Sequence, residues 1–345
     1  MKNLGLIILL ACTSIMVQAQ PNWLMKGGSA GNDEALAICT DAQGNLFTTG
    51  YFTQPALFGI HGIVPTGSGD VFVAKQNSAG VYQWAVKAGG VGSDRGIGIC
   101  NDAQGNSYIT GFYSGQAQFG PFTLNSNAFS QDIFVAKLNG AGVFQWAVSF
   151  GGTNIDLPSG IAIDAQSNLI LTGQFKGTGV FGGNQFTSVV DPQTNESSYD
   201  IFILKLDNAG AVQWAKHGKS KRDDRGLQAA TDPAGNIYLT GQYSDTLKFT
   251  NTYNNVAYNV CYLMKLLPNG QEVWLKRLQA SMTAITGLVC KNNNLYVAGD
   301  FLGQLVLTGP PSITLSSAYS KKIFVAKYDM GALRYGQKPQ GLKIL

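Results

Sequence analysis

Asp132-Ile133-Phe134-Val135-Ala136-Lys137-Leu138, followed by Phe144-Gln145-Trp146-Ala147-Val148, is the stretch on which the fold turns. Ile133 to Ala136 is apolar without alternation. A strand with that pattern has both faces covered, as happens when sheets stack face to face. The same pair of segments returns as Asp70 to Gln76 with Tyr82 to Val86, as Asp200 to Leu206 with Val212 to Lys216, and in weaker form as Val260 to Leu266 with Glu272 to Lys276. All five tryptophans, Trp23, Trp84, Trp146, Trp214 and Trp274, stand at one register of this repeat, separated by 61, 62, 68 and 60 residues. Self-similarity at a near-constant period marks stacked units, because a single unit cannot bury its apolar faces alone.

Working outward, two further apolar segments precede each pair; in the second unit they are Gly96 to Asp102 and Asn106 to Tyr113. They are joined by Asp102-Ala103-Gln104-Gly105-Asn106, in which Asp and Asn bond the local backbone and Gly accepts positive φ, the chemistry of a hairpin turn. Each unit reads as four antiparallel strands. The expectation is an all-β, five-bladed β-propeller, with blades at about 33–90, 94–152, 156–219, 224–280 and 284–329 of a single domain, 20–345. Residues 22–28 match the fourth-strand pattern but precede the first unit. They are expected to pair into the last blade and close the ring, removing exposed strand edges. Residues 332–338 are the rival for that place.

The string D-x-F-V-A-K, then Q-W-A, G-G and D-A-x-G-N-x-Y-x-T-G, resembles the bacterial β-propeller repeat family called SBBP over nearly the whole chain. The resemblance implies a secreted or surface protein and adds almost no biochemistry. The family label suggests seven blades, from which five units depart.

Residues 1–19 read as a signal peptide: Lys2, an apolar run from Leu4 to Val17, and a small-residue end at Ala19. An apolar run of about 14 residues is short of the roughly 20 that span a bilayer. Leu9-Leu10-Ala11-Cys12 also fits a lipobox, with Cys12 as the lipidated residue. Export to the periplasm, outer surface or medium is expected. Without Lys2 the formal charge is +3, too small to attract nucleic acid or an anionic membrane. Cys39, Cys100 and Cys290 sit at equivalent places on neighbouring units, so buried free thiols are expected rather than disulfides.

Asp33, Asp94, Asp156 and Asp224 lie six residues before the small residue of strand one in their units, and are expected to ring one mouth of the channel. Gathered there, they would bind a cation or sugar hydroxyls, with Arg95 and Arg225 as neutralising neighbours. Loop capping is the simpler role for each. Lys75, Lys137, Lys205, Lys265 and Lys327 end the third strands and are expected to lie over the neighbouring tryptophans. The charged stretch from Lys219 to Arg225 and the long excursion from Lys176 to Tyr199 would share a binding face. Gly177 to Gly182 satisfies G-x-G-x-x-G, but no helix pattern follows it. No catalytic residue, metal-ligand set or cofactor motif is evident, and the chain reads as a monomer. These features point to a non-enzymatic binding scaffold for a protein or glycan. The alternative is a polysaccharide hydrolase using the mouth carboxylates.

Overall fold

Strand follows strand along the whole computed structural model, which describes residues 23–127, 130–254, 260–279, 282–307, 313–330 and 343–344. The leader 1–19, Cys12 and the rival closing strand 332–338 lie outside the described residues. No helix among them is long and apolar enough to cross a membrane.

In the second unit the four strands are Arg95–Asn101, Ser107–Tyr113, Asp132–Leu138 and Phe144–Gly152, each antiparallel to the next. The hairpin between the first two forms as its residues dictate. Oδ1 of Asp102 accepts the N–H groups of Gln104 and Asn106, at 3.0 and 2.8 Å, and Gly105 takes φ 79°. The same four-strand order holds in units one, three and four. Unit five supplies Met282–Lys291, Asn294–Leu307 and Ile313–Asp329.

The unbroken apolar run is explained by packing on both sides. Alternate residues of one strand face opposite neighbours. Ile133 and Val135 pack with Leu169, Leu171 and Phe202 of unit three. Phe134 and Ala136 pack with Val71, Val73 and Phe47 of unit one. The innermost strands approach so closely that a β-carbon on Gly98 would stand 2.7 Å from the Ile161 side chain, so glycine is required there. Antiparallel sheets stacked in this way are consistent with a β-propeller.

Two features go beyond the sequence reading. The excursions between strands two and three are outer hairpins, such as Gln116–Phe119 with Phe122–Asn125. Each latches onto the fourth strand of the preceding unit: Gly89 and Gly90 pair with Gln118 and Ala117, and Gly151 and Gly152 with Val180 and Gly179. Gly177 to Gly182 is one of these hairpins and not a phosphate loop. The indoles add a second latch. Nε1 of Trp84 donates to the Gly140 carbonyl at 3.1 Å, Trp146 to Asn208 at 3.1 Å and Trp214 to Pro268 at 3.2 Å, always in the following unit.

The N-terminal segment shares both latches. Trp23 donates to the Ser78 carbonyl at 3.1 Å, and Gly27 and Gly28 pair with Phe58 and Leu57 of the first outer hairpin. Among the described residues it has no pairing with Ile313–Asp329, beside which Lys343–Ile344 lies. Among the described residues, nothing covers the outward faces of the two end units at the registers of Ile323, Val325 and Ile38. Ile323 is 84% exposed and Val325 45%, whereas Val71, Val73, Ile133, Val135, Ile201 and Ile203 at the same registers are fully buried. On the first unit, Ile38 is 62% exposed where its counterpart Ile99 is 6%.

Candidate functional site

The acidic positions of the repeat are built into the junctions between units. At the end of strand four the chain turns through Gly89, with φ 140°. Asp94 secures that turn: Oδ2 accepts the Gly90 N–H at 2.7 Å and Oδ1 the Ser114 N–H at 3.1 Å. Asp156 does the same with Gly152 at 2.8 Å and Lys176 at 3.1 Å. Asp224 accepts the Ser244 N–H at 3.0 Å. Asp33 accepts the Ser29 N–H, the Ser29 hydroxyl at 2.7 Å and the Thr53 N–H at 3.4 Å. Asp94, Asp156 and Asp224 are fully buried.

Each of these carboxylates takes the simpler of its two expected roles and caps the loop that leads into its own unit. Three of the four, Asp94, Asp156 and Asp224, also lie against an aspartate that sequence reasoning passed over as the first residue of strand three. The pairs are Asp70 with Asp94, Asp132 with Asp156 and Asp200 with Asp224, and the spacing is 24 residues in every case. The signal was present in the sequence, since at the fourth junction both members are lost together, to Val260 and Ala284. Burial pushes the Asp94 carboxyl up to about 6, with the charge of Asp70 adding to the rise against two backbone hydrogen bonds that lower it. Asp156 is pushed to about 7 by burial, with Asp132 contributing, and Asp132 to about 6 by its own burial. Asp200 and Asp224 are also raised, burial again being the main cause.

What compensates the second carboxylate differs by unit. One register of strand four faces it, occupied by Lys87, Ser149, His217 and, in unit four, Arg277. Lys87 Nζ lies 2.7 Å from Asp70 Oδ2 and also donates to Thr66 Oγ1. His217 Nε2 lies 2.6 Å from Asp200 Oδ2, its ring held between Phe175 and Phe186. Ser149 instead meets the Tyr113 hydroxyl at 2.7 Å, and Asp132 is bonded by the Ser130 hydroxyl at 2.9 Å.

Arg95 does not pair with Asp94. Its guanidinium lies 4.2 Å from the Tyr51 ring centre, and Arg225 is exposed. The repeated lysines lie over the strand-two ring and not over tryptophan: Lys75 over Phe47 at 5.0 Å, Lys137 over Tyr108 at 5.2 Å and Lys265 over Tyr238 at 5.5 Å. Unit three has Ile170 at that place, and Lys205 turns to Asp164 at 3.0 Å. Cys39, Cys100, Cys261 and Cys290 are free thiols, and burial lifts Cys39 and Cys290 to about 12.

Cavities open beside this framework. One of about 330 Å³ is lined by Lys176, Asp191, Glu196, Ser198, Arg222 and Asp223, so the long excursion and the charged stretch do meet. Another of about 490 Å³ lies between units two and three, with Asp132, Ser149 and Val212 in its wall.

No family model matches the chain. Over 203 residues, 51% of the chain, it is 27% identical to an uncharacterised WD repeat-containing protein of Acanthamoeba polyphaga mimivirus, and the aligned stretch spans 14% of that protein's length. Among solved structures, BamB from Moraxella catarrhalis aligns over 77% of this chain and 82% of its own, with 10% identity and a TM-score of 0.26. A score that low lends no support to the fold.

Proposed function

We propose that this chain is an exported, non-enzymatic binding scaffold, a five-bladed propeller of the SBBP type whose rigid sheets carry variable outer hairpins and loops. The observation that carries the scaffold reading is the equivalence of Asp33, Asp94, Asp156 and Asp224. Asp33, Asp94 and Asp156 spend both oxygens on local N–H or hydroxyl donors, Asp224 spends one on the Ser244 N–H, and three of the four are fully buried. A hydrolase would need one of a carboxylate pair to reach substrate. The mimiviral relative's designation as a WD-repeat protein agrees with a propeller.

Ring closure between units five and one is part of the proposal. At three of the four internal junctions the first residue of strand three, an aspartate, lies against the capping aspartate of the next unit. In unit five that residue is Lys322, and the next capping aspartate around a closed ring is Asp33. A lysine would there meet an aspartate, and Ile323 and Val325 would be covered as their counterparts are. Trp23 and Gly28 already make the contacts of a fourth strand with unit one.

The discriminating experiment incubates the mature protein with a panel of polysaccharides and follows both retention on a glycan array and release of reducing ends. Retention without release is expected. Release that disappears in Asp156→Asn while the variant keeps its fold would establish the hydrolase instead.

A further inference from the structure

We infer that the cavity between units two and three is a binding site for an ammonium group carried on an apolar stem, with Asp132 as its counter-charge. The inference deepens the scaffold reading by giving it a ligand class.

Comparison of the repeats carries it. In unit one the equivalent carboxylate, Asp70, is neutralised from within by Lys87 at 2.7 Å. In unit three Asp200 has His217 at 2.6 Å. In unit two that register holds Ser149, too short and without charge, and it is already engaged with Tyr113. Asp132 is 6% exposed, yet no cation among the described residues pairs with it. The charged or titratable neighbours that face it are Asp156 and the Tyr113 hydroxyl, neither of which supplies a positive charge. A carboxylate removed from water in this way gains strongly from a cation that reaches it.

The space for that cation comes from a second change in the same junction. The register at the start of strand four holds Tyr82 in unit one and Phe144 in unit two, both packed on their outer hairpins through Phe58 and Phe119. In unit three it holds Val212. The smaller side chain and Ser149 together leave the cavity of about 490 Å³, whose other walls include Val148, Phe150 and Val180. An apolar stem fits those walls, and its ammonium head reaches the carboxylate as the Lys87 ammonium reaches Asp70. A lysine side chain of a protein partner and a free alkylamine present the same group.

The test titrates ¹⁵N-labelled mature protein at pH 7 with n-butylammonium, and in parallel with n-butanol as the uncharged isostere. Amide shifts of Ser149, Gly151, Val180 and Gly182 report occupancy. Saturable shifts are expected with the amine and at least tenfold weaker binding of the alcohol. Asp132→Asn should lose the amine, and Ser149→Lys, which restores the internal pair of unit one, should lose it while raising thermal stability. Nα-acetyl-lysine methylamide beside its Nε-acetylated form separates the sources: tighter binding of the former than of butylammonium points to a protein partner, and weaker binding to a small amine. Equal binding of amine and alcohol, or unchanged amine binding in both variants, would overturn the inference. Neither result would bear on the reducing-end assay that tests the scaffold reading.

Discussion

Asp132 and Asp156 face each other across Gly151: a β-carbon on that glycine would stand 3.1 Å from Cγ of the first and 2.7 Å from Oδ2 of the second. The glycine also holds φ at 139°, a conformation that L side chains rarely adopt. Gly151→Ala therefore meets backbone strain and a clash with a buried carboxylate at once. Urea denaturation should show a loss of about 2 kcal/mol or more, with Gly89→Ala behaving alike at the preceding junction.

The raised carboxylates set a pH dependence. Asp94 and Asp132 at about 6 and Asp156 at about 7 hold protons more tightly in the folded protein than in the unfolded chain. Their contribution to stability is complete below the unfolded carboxylate value of about 4 and is lost as pH rises through 6 to 7. Asp164 and Glu272, held low by hydrogen bonds to Asn168 and to Thr250 and Asn251, act in the opposite sense and lose their contribution as pH falls below the usual carboxylate range. Melting temperature should peak near pH 5 and fall towards pH 8. Asp156→Asn should flatten the alkaline limb, and an unchanged slope in that variant would contradict the assignment.

Removing His217 leaves the buried Asp200 without its imidazole partner. His217→Ala is expected to cost about 2–4 kcal/mol at pH 7 and less at pH 5, where protonation of the raised Asp200 carboxyl relieves the burial of charge. Ser149→Ala, at the same register, should cost only about 1 kcal/mol for the lost Tyr113 bond at either pH. Chemical denaturation of the two variants at both pH values makes the comparison.

Closure is tested by Lys322→Glu. In a closed ring the substitution sets a carboxylate against Asp33 and should lower the melting temperature at pH 7, with recovery on acidification. In an open arc position 322 is exposed, and the melting temperature should not move.

The strand pattern was legible because each decision in it is local. Continuous apolar runs such as Ile133 to Ala136 demand cover on both faces, and Asp102 with Gly105 and Asn106 makes its turn from its own atoms. The regular tryptophans announced contacts between units, and Trp84, Trp146 and Trp214 make them. The acidic positions were found in half. Asp94, Asp156 and Asp224 stood out as polar residues before a strand, whereas Asp70, Asp132 and Asp200 opened apolar strands and read as strand ends. Only the turn at the end of strand four, which passes through positive-φ Gly89 and Gly151 at the first two junctions, brings the two sets together. The outer hairpins were read as excursions because strands of three or four residues, such as Gln116–Phe119, leave little periodicity to detect.

By itself the sequence determined the repeat, the strand order within a unit and the need for stacked sheets, since these follow from side-chain periodicity and turn chemistry within about sixty residues. The tertiary structure alone decided which charges meet and which stay unpaired. Lys87, Ser149 and His217 occupy one register, and what each does depends on the carboxylate and the space that a neighbouring unit presents. Burial turns those differences into energy, because a charge held away from water has only the partner that the packing supplies.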